Sequence, residues 1–213
     1  MAGFPPGQEG GYVKLLLPKE TLEPTVTAET ADPADFIRRS YTVRSFDPER
    51  RILGLHFAGH TPRGPASVWA EQARPGDRVL VAGPGPVKML DADADWVFVV
   101  GDMAALPASQ CNVEQRPNTA VGYVVVAADS AEDRSLPADL PPGLEVHWVE
   151  DAPAGADSPL MKRVRSLPWR DGRVSVWSAT EFGGMRLLRD YFKGERAVPK
   201  EGIYISSYWK RGS

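Results

Sequence analysis

"DWVFVVGDMAALPA", residues 95–108, is the stretch on which the fold turns. From Asp95 to Gly101 the run is almost unbroken in apolar residues, as a strand buried on both faces requires. It ends at a glycine-containing turn and continues into a helical candidate, 104–116, that carries Pro107. A buried strand handing directly into a helix is a βα junction, and the pattern repeats downstream. Residues 120–128, 144–150, 173–179 and 202–208 read as strands, and 158–167 and 181–193 as helices. In the third strand Leu144, Val146 and Trp148 share one face. In the last helix Met185, Leu188 and Phe192 form an apolar stripe; Ser178 and Glu181 have capping-box spacing, and Gly194 sits where a helix stop belongs. Strands alternating with helices predict a parallel sheet covered on both faces.

Upstream of Asp95 the rhythm is different. The runs 12–18 ("YVKLLLP"), 39–46 ("RSYTVRSF"), 51–59 ("RILGLHFAG") and 77–84 ("DRVLVAGP") read as short strands joined by Pro- and Gly-containing turns. Asp47-Pro48 suggests a type I turn. One helix is expected among them, at 66–73, ended by Pro75-Gly76, and the acidic segment 20–37 reads as a loop. Several short strands at this spacing predict an antiparallel barrel or sandwich. The chain therefore reads as two domains, an antiparallel β-barrel over 1–92 and a Rossmann-like parallel α/β domain over 93–213.

Composition sets the outer bounds. With 213 residues, 42% hydrophobic and 25% charged, the chain is an ordinary globular sequence that can bury a proper core. A net charge of −3 provides no overall basic field, so nucleic acid is not expected as the principal partner. The one cysteine, Cys111, cannot form an internal disulfide, which suits a reducing compartment. The N-terminus lacks the basic and apolar regions of a signal peptide, and no apolar run is long enough for a membrane helix. The expected setting is cytoplasmic, with no membrane contact and a monomeric chain.

Three stretches carry chemistry. In "RRSYTVRSF" (38–46), Arg39, Tyr41 and Thr42 place a cation, an aromatic face and a short hydroxyl within four residues. Those groups suit a flavin's pyrophosphate, ring and redox nitrogen; an edge strand with solvated arginines is the other reading. In "GHTPRGPASVWAEQ" (59–72), Gly64, Pro65, Ala66 and Ser67 lead into the predicted helix. A small-residue turn there leaves backbone N–H groups free for a phosphate, or makes a plain helix start. His60 stands close by as a nucleotide contact. His56 and His60 have no Cys, Asp or Glu to complete a metal set. In "VVGDMAALPA" (99–108), Gly101 alone is not a G-x-G-x-x-G fingerprint. Asp102 caps the following helix, or binds ribose or nicotinamide amide groups.

Taken in order, R-x-Y-T, H-x(3)-G-P-A-S-x-W-A, G-D-x-x-A-L-P and the closing S-x-Y-W-K-R-G resemble the siderophore-interacting proteins over 3–212. These are flavin-dependent ferric-siderophore reductases of the ferredoxin–NADP reductase superfamily. The resemblance implies FAD on the barrel, held by Arg39, Tyr41 and Thr42 and by the turn 64–67. It implies NADH or NADPH, or a ferredoxin, as electron donor, with Gly101, Asp102 and Glu181 on the nicotinamide side. It implies a cytoplasmic ferric siderophore as acceptor, docked by Lys14, Lys210 and Arg211. A siderophore-binding protein without catalysis, or a general flavin reductase, is the alternative.

The sequence departs from the family in three places. The chain opens at "MAGFPPG" where members carry further residues forming the first barrel strands, so a barrel with open edges is expected. "WSATE" (177–181) stands in place of W-x-x-G-E. Ala58-Gly59 replaces bulkier aliphatics before the histidine.

Overall fold

The computed structural model describes residues 3–19, 32–59 and 63–212. The chain divides into two compact units, Met1–Val87 and Lys88–Ser213. The division falls five residues ahead of the expected 92/93 boundary, for a physical reason. Leu90 is buried in the second unit's core. Around it, Trp177 Nε1 donates to Lys88 O, Leu90 N to Asn112 Oδ1 and Asp91 N to Ser175 Oγ.

The first unit is antiparallel. Strand β1 (Tyr12–Pro18) pairs with β2 (Phe36–Thr42) on one side and β5 (Leu80–Ala82) on the other. β3 (Ser45–Asp47) and β4 (Ile52–Gly54) form a separate hairpin, so the described strands lie in two sheets and not in one closed hydrogen-bonded barrel. β1 alternates as a strand with one buried face must: Val13, Leu15 and Leu17 are buried and Lys14 is exposed. In the register Val13 faces Tyr41 and Leu15 faces Arg39. Arg39 and Tyr41 therefore share the face of Val13 and Leu15, while Lys14, opposite Ser40, lies on the other.

The single strand expected over 39–46 is broken. Val43 exchanges backbone bonds with Gly10 and Gly11, and Arg44 N donates to Gly54 O, which steers the chain into the hairpin. The turn at Asp47-Pro48 forms as expected, with Asp47 Oδ1 accepting from the Glu49 and Arg50 amides. Regular structure in 51–59 is limited to Ile52–Gly54. Helix α1 spans Pro65–Gln72, with Pro65 in the first helical position.

The second unit is a five-stranded parallel sheet of β6 (Trp96–Gly101), β7 (Val121–Ala128), β8 (Gly143–Glu150), β9 (Val174–Glu181) and β10 (Ile203–Trp209). Its order is β10-β9-β6-β7-β8, so the winding reverses between β6 and β9. α2 (Leu106–Glu114) covers one face through Leu106, Ala108 and Val113, with Leu144, Val146 and Trp148 of β8 on that same side. α3 (Pro159–Ser166) and α4 (Phe182–Arg189) cover the other through Met161, Val164 and Leu188. Each central strand sends alternate residues to the two cores: Trp96, Phe98 and Val100 to one, Val97 and Val99 to the other.

The stripe Met185, Leu188 and Phe192 is buried as expected, but the capping is not as expected. Ser178 lies fully buried inside β9, and Glu181 is the N-cap of α4, its carboxylate accepting from Gly183 N. Gly194 sits within a π-helical turn, Asp190–Glu195, and the left-handed residue after it is Ala197.

Candidate functional site

In the first unit one of the three motif residues, Tyr41, belongs to an aromatic chain. The half-buried Tyr41 ring packs on Phe57, centroids 4.3 Å apart, and Phe57 lies 6.2 Å from Trp69 of α1. That chain brings the strand carrying Arg39, Tyr41 and Thr42 to the helix that opens at Gly64. Burial pushes the Tyr41 hydroxyl above its ordinary range, while the Arg39 cation pulls it down. Arg39 is exposed and donates to Arg38 O; Thr42 is buried on the opposite face. Gly64 enters α1 in extended conformation, and no side chain caps the helix. The first-turn N–H groups of Ala66 and Ser67 thus point out of a helix N-terminus, the polarity an anionic phosphate needs. Both residues are buried. His60 lies outside the described residues. A planar aromatic, an exposed guanidinium and an uncapped helix start fit the ring and pyrophosphate of FAD.

In the second unit a cleft opens at the carboxyl ends of the strands. Asp102, Ala127, Glu150, Asp151, Thr180, Glu181, Trp209 and Arg211 are among its lining residues. Asp102 and Glu181 stand at the ends of β6 and β9, where the winding reverses and open α/β sheets bind their ligands. Gly101 serves packing: a Cβ there would lie 2.9 Å from Ser109 Oγ, so glycine lets the helix after β6 approach.

Asp102 is buried, and its two oxygens accept four hydrogen bonds. The Ala104 and Ala105 amides bind Oδ1 at 3.1 and 3.2 Å. Glu181 N and Trp209 Nε1 bind Oδ2 at 2.9 and 2.8 Å. The helix cap expected of Asp102 is not formed, since the N-cap of α2 is Ala105 and no side chain bonds there. Asp102 instead bonds the turn ahead of the helix, and its oxygens tie β6, β9 and β10 together. Desolvation outweighs these donors and pushes the Asp102 carboxyl up to about 6, with the Asp151 charge adding to the rise. Glu181 is likewise engaged, holding Gly183 N with one oxygen and Arg211 N, at 3.2 Å, with the other.

Of the cationic candidates, Lys210 Nζ lies 5.7 Å from the Phe182 ring and the Arg211 guanidinium 5.5 Å from the Trp209 ring. Both therefore ride on aromatic side chains at the end of the chain. Lys14 is exposed on its sheet. Sequence reasoning missed Trp209 as the partner of Asp102, and the pair Glu150 and Asp151. The available signal for the pair was two adjacent carboxylates, Glu150 and Asp151, where the alternating strand β8 ends.

An antiparallel β unit with an uncapped anion-type helix start, followed by a doubly wound α/β unit with a switch-point cleft, is the plan of a ferredoxin-reductase-like protein. The comparisons with known proteins give the family. A family model described as "Siderophore-interacting protein" matches residues 94–212, and one described as "Siderophore-interacting FAD-binding domain" matches residues 1–88. Ferric vibriobactin reductase ViuB of Vibrio cholerae is 29% identical over 224 residues, covering 100% of this chain and 81% of that protein. The crystal structure of the siderophore-interacting protein SipS from Aeromonas hydrophila superposes with a TM-score of 0.82 at 29% identity, covering 96% of this chain and 80% of that one. A siderophore utilization protein from T. fusca gives a TM-score of 0.79 at 28% identity, covering 100% and 84%. The chain belongs to the siderophore-interacting protein family, and its first unit is the family's FAD-binding domain.

Proposed function

We propose that the chain is an FAD-dependent ferric-siderophore reductase that takes electrons from NADH or NADPH. The observation that carries this reading is the switch-point cleft of the α/β unit, in a chain whose other unit is an FAD-binding domain. Its relative ViuB, a ferric vibriobactin reductase, supports the same acceptor class.

FAD, when bound, supplies the conversion of a hydride into single electrons. One reduced nicotinamide thereby serves two ferric ions, giving two ferrous ions, the oxidised nicotinamide and a proton. Reduction weakens binding by the hard oxygen donors typical of siderophores, so the iron becomes exchangeable. The protein's own work is binding and orientation. Tyr41 offers a ring face, Arg39 and the N–H groups at 66–67 offer anion contacts, and Thr42 a hydroxyl. Asp102 and Glu181 hold the cleft in shape through their bonds to Trp209 and Arg211. Lys14, Lys210 and Arg211 supply positive charge that draws in anionic ferric siderophores.

A ferredoxin is the other donor within this reading; the cleft favours the nicotinamide. We place the protein in the cytoplasm as a monomer; no helix among the described residues is long and apolar enough to cross a membrane. Reconstitution of the purified chain with FAD tests the reading: it is expected to retain the flavin through desalting. A chain that cannot be loaded would be a siderophore-binding protein without catalysis.

A further inference from the structure

A cavity of about 280 Å³ opens at the amino ends of β9 and β10, the end of the sheet opposite the cleft. Trp169, Val174 and Val198 form its apolar wall, the two valines being buried in the core that α3 and α4 cover. Arg173, Arg196 and Glu201 supply its charges. A Cβ on Gly202 would lie 2.9 Å from Val174 O, so glycine lets the two strand starts close up at this point. No step of the proposed reaction uses this space.

Arg196 is the group built for a ligand. Its guanidinium carbon lies 4.8 Å from the Trp169 ring centre and 5.3 Å from that of Tyr191. Its Nε donates to the Tyr191 hydroxyl at 2.8 Å. The backbone around it is pinned: Arg196 N donates to Tyr191 O and Val198 N to Phe192 O, on either side of the left-handed Ala197. Two rings and a hydroxyl thus orient the guanidinium, while neither Nη group has a hydrogen-bond partner among the described residues. The neighbouring charges are engaged with other groups. Glu195, whose charge reaches Arg196, accepts from Arg165 with both oxygens. Arg173 donates its two Nη groups to the Asp91 carboxylate and to Asp93 O. Of the two arginines in the lining, Arg196 is the one with no carboxylate bonded to it.

A pre-oriented guanidinium with both Nη groups open binds a carboxylate through two parallel hydrogen bonds. A concave space with an aromatic wall and a few polar groups is the form of a small-molecule site. Its volume lies just below the roughly 300–1,000 Å³ of pockets that take drug-sized ligands, so a single substituted ring fits and a dinucleotide does not.

We infer that this cavity is a second ligand site, which holds a small aromatic carboxylate with its ring against Trp169 and its carboxylate on the Nη groups of Arg196.

Isothermal titration of the full chain with benzoate, acetate and inorganic phosphate tests it. Benzoate is expected to bind with a Kd on the order of 1 mM, and acetate and phosphate about tenfold more weakly, for want of the ring. Arg196→Lys keeps the charge but loses the fork, and should weaken benzoate about tenfold. Glu201→Gln removes an exposed acid from the lining and should tighten benzoate about twofold, a gain that a loosened fold would not give. No binding of benzoate, phosphate binding as tightly as benzoate, or an affinity that neither variant moves would overturn the inference. Displacement of benzoate by NADH would overturn it too, by placing the acid in the switch-point cleft.

Discussion

Trp209 donates its indole N–H to Asp102 Oδ2 at 2.8 Å, across 107 residues of sequence. That bond joins the last strand of the parallel sheet to the turn after its first, at the mouth of the cleft. Because Asp102 is buried and accepts three backbone amides as well, its removal strands several donors at once. Asp102→Ala is expected to cost ~1–3 kcal/mol of unfolding free energy and to free the tail around Arg211. Urea denaturation followed by tryptophan fluorescence measures it; an unchanged midpoint would show that the bond carries no stability.

The same carboxyl gives a pH signature. Its folded-state value, about 6, lies above the ordinary 3.8, so the folded chain takes up this proton before the unfolded one does. Ionising the Asp102 carboxyl therefore costs the folded state stability above about pH 6, a cost that disappears as the pH falls toward about 4. Relative to Asp102→Asn, the wild type should therefore gain stability between pH 7 and pH 5. Denaturation curves of both proteins at the two pH values check this, and a constant difference would contradict it.

Tyr41 predicts flavin affinity. Tyr41→Ala removes the ring that packs on Phe57 and is expected to weaken FAD about tenfold or more, as loss of one stacking face does. Arg39→Ala should weaken it through the pyrophosphate contact, with a steeper loss at low salt. Titration of flavin fluorescence into the apoprotein measures both.

Lys14 and Lys210 predict acceptor selectivity. Lys14→Ala and Lys210→Ala should weaken binding of anionic ferric siderophores more than neutral ones, since only the former are drawn by the charge. Equal losses on both classes, measured by fluorescence quenching, would remove the electrostatic role.

Most of the α/β unit was legible because its central strands β6 and β7 are apolar throughout, β8 alternates and its helices carry stripes, which are local signals. β1 and the turn at Asp47-Pro48 were legible for the same reason. The break after Thr42 was not: the amide of Arg44 bonds to Gly54 O, a partner set by the folded hairpin and not by propensity. The S-x-x-E spacing at Ser178 misled because the same residues had to complete a buried strand, leaving Glu181 to cap. At the site, the residue types were readable and their partners were not. Asp102 was placed at its turn by sequence, but its bond to Trp209 depends on β10 lying beside β9.

The central claim is siderophore reduction, and one assay reaches it most directly. The FAD-loaded chain is mixed anaerobically with NADH, a ferric siderophore and a chromogenic ferrous chelator. The account predicts ferrous iron forming at a rate that depends on protein and siderophore and exceeds that of free FAD with ferric citrate. A rate no greater than the free-flavin control would contradict it.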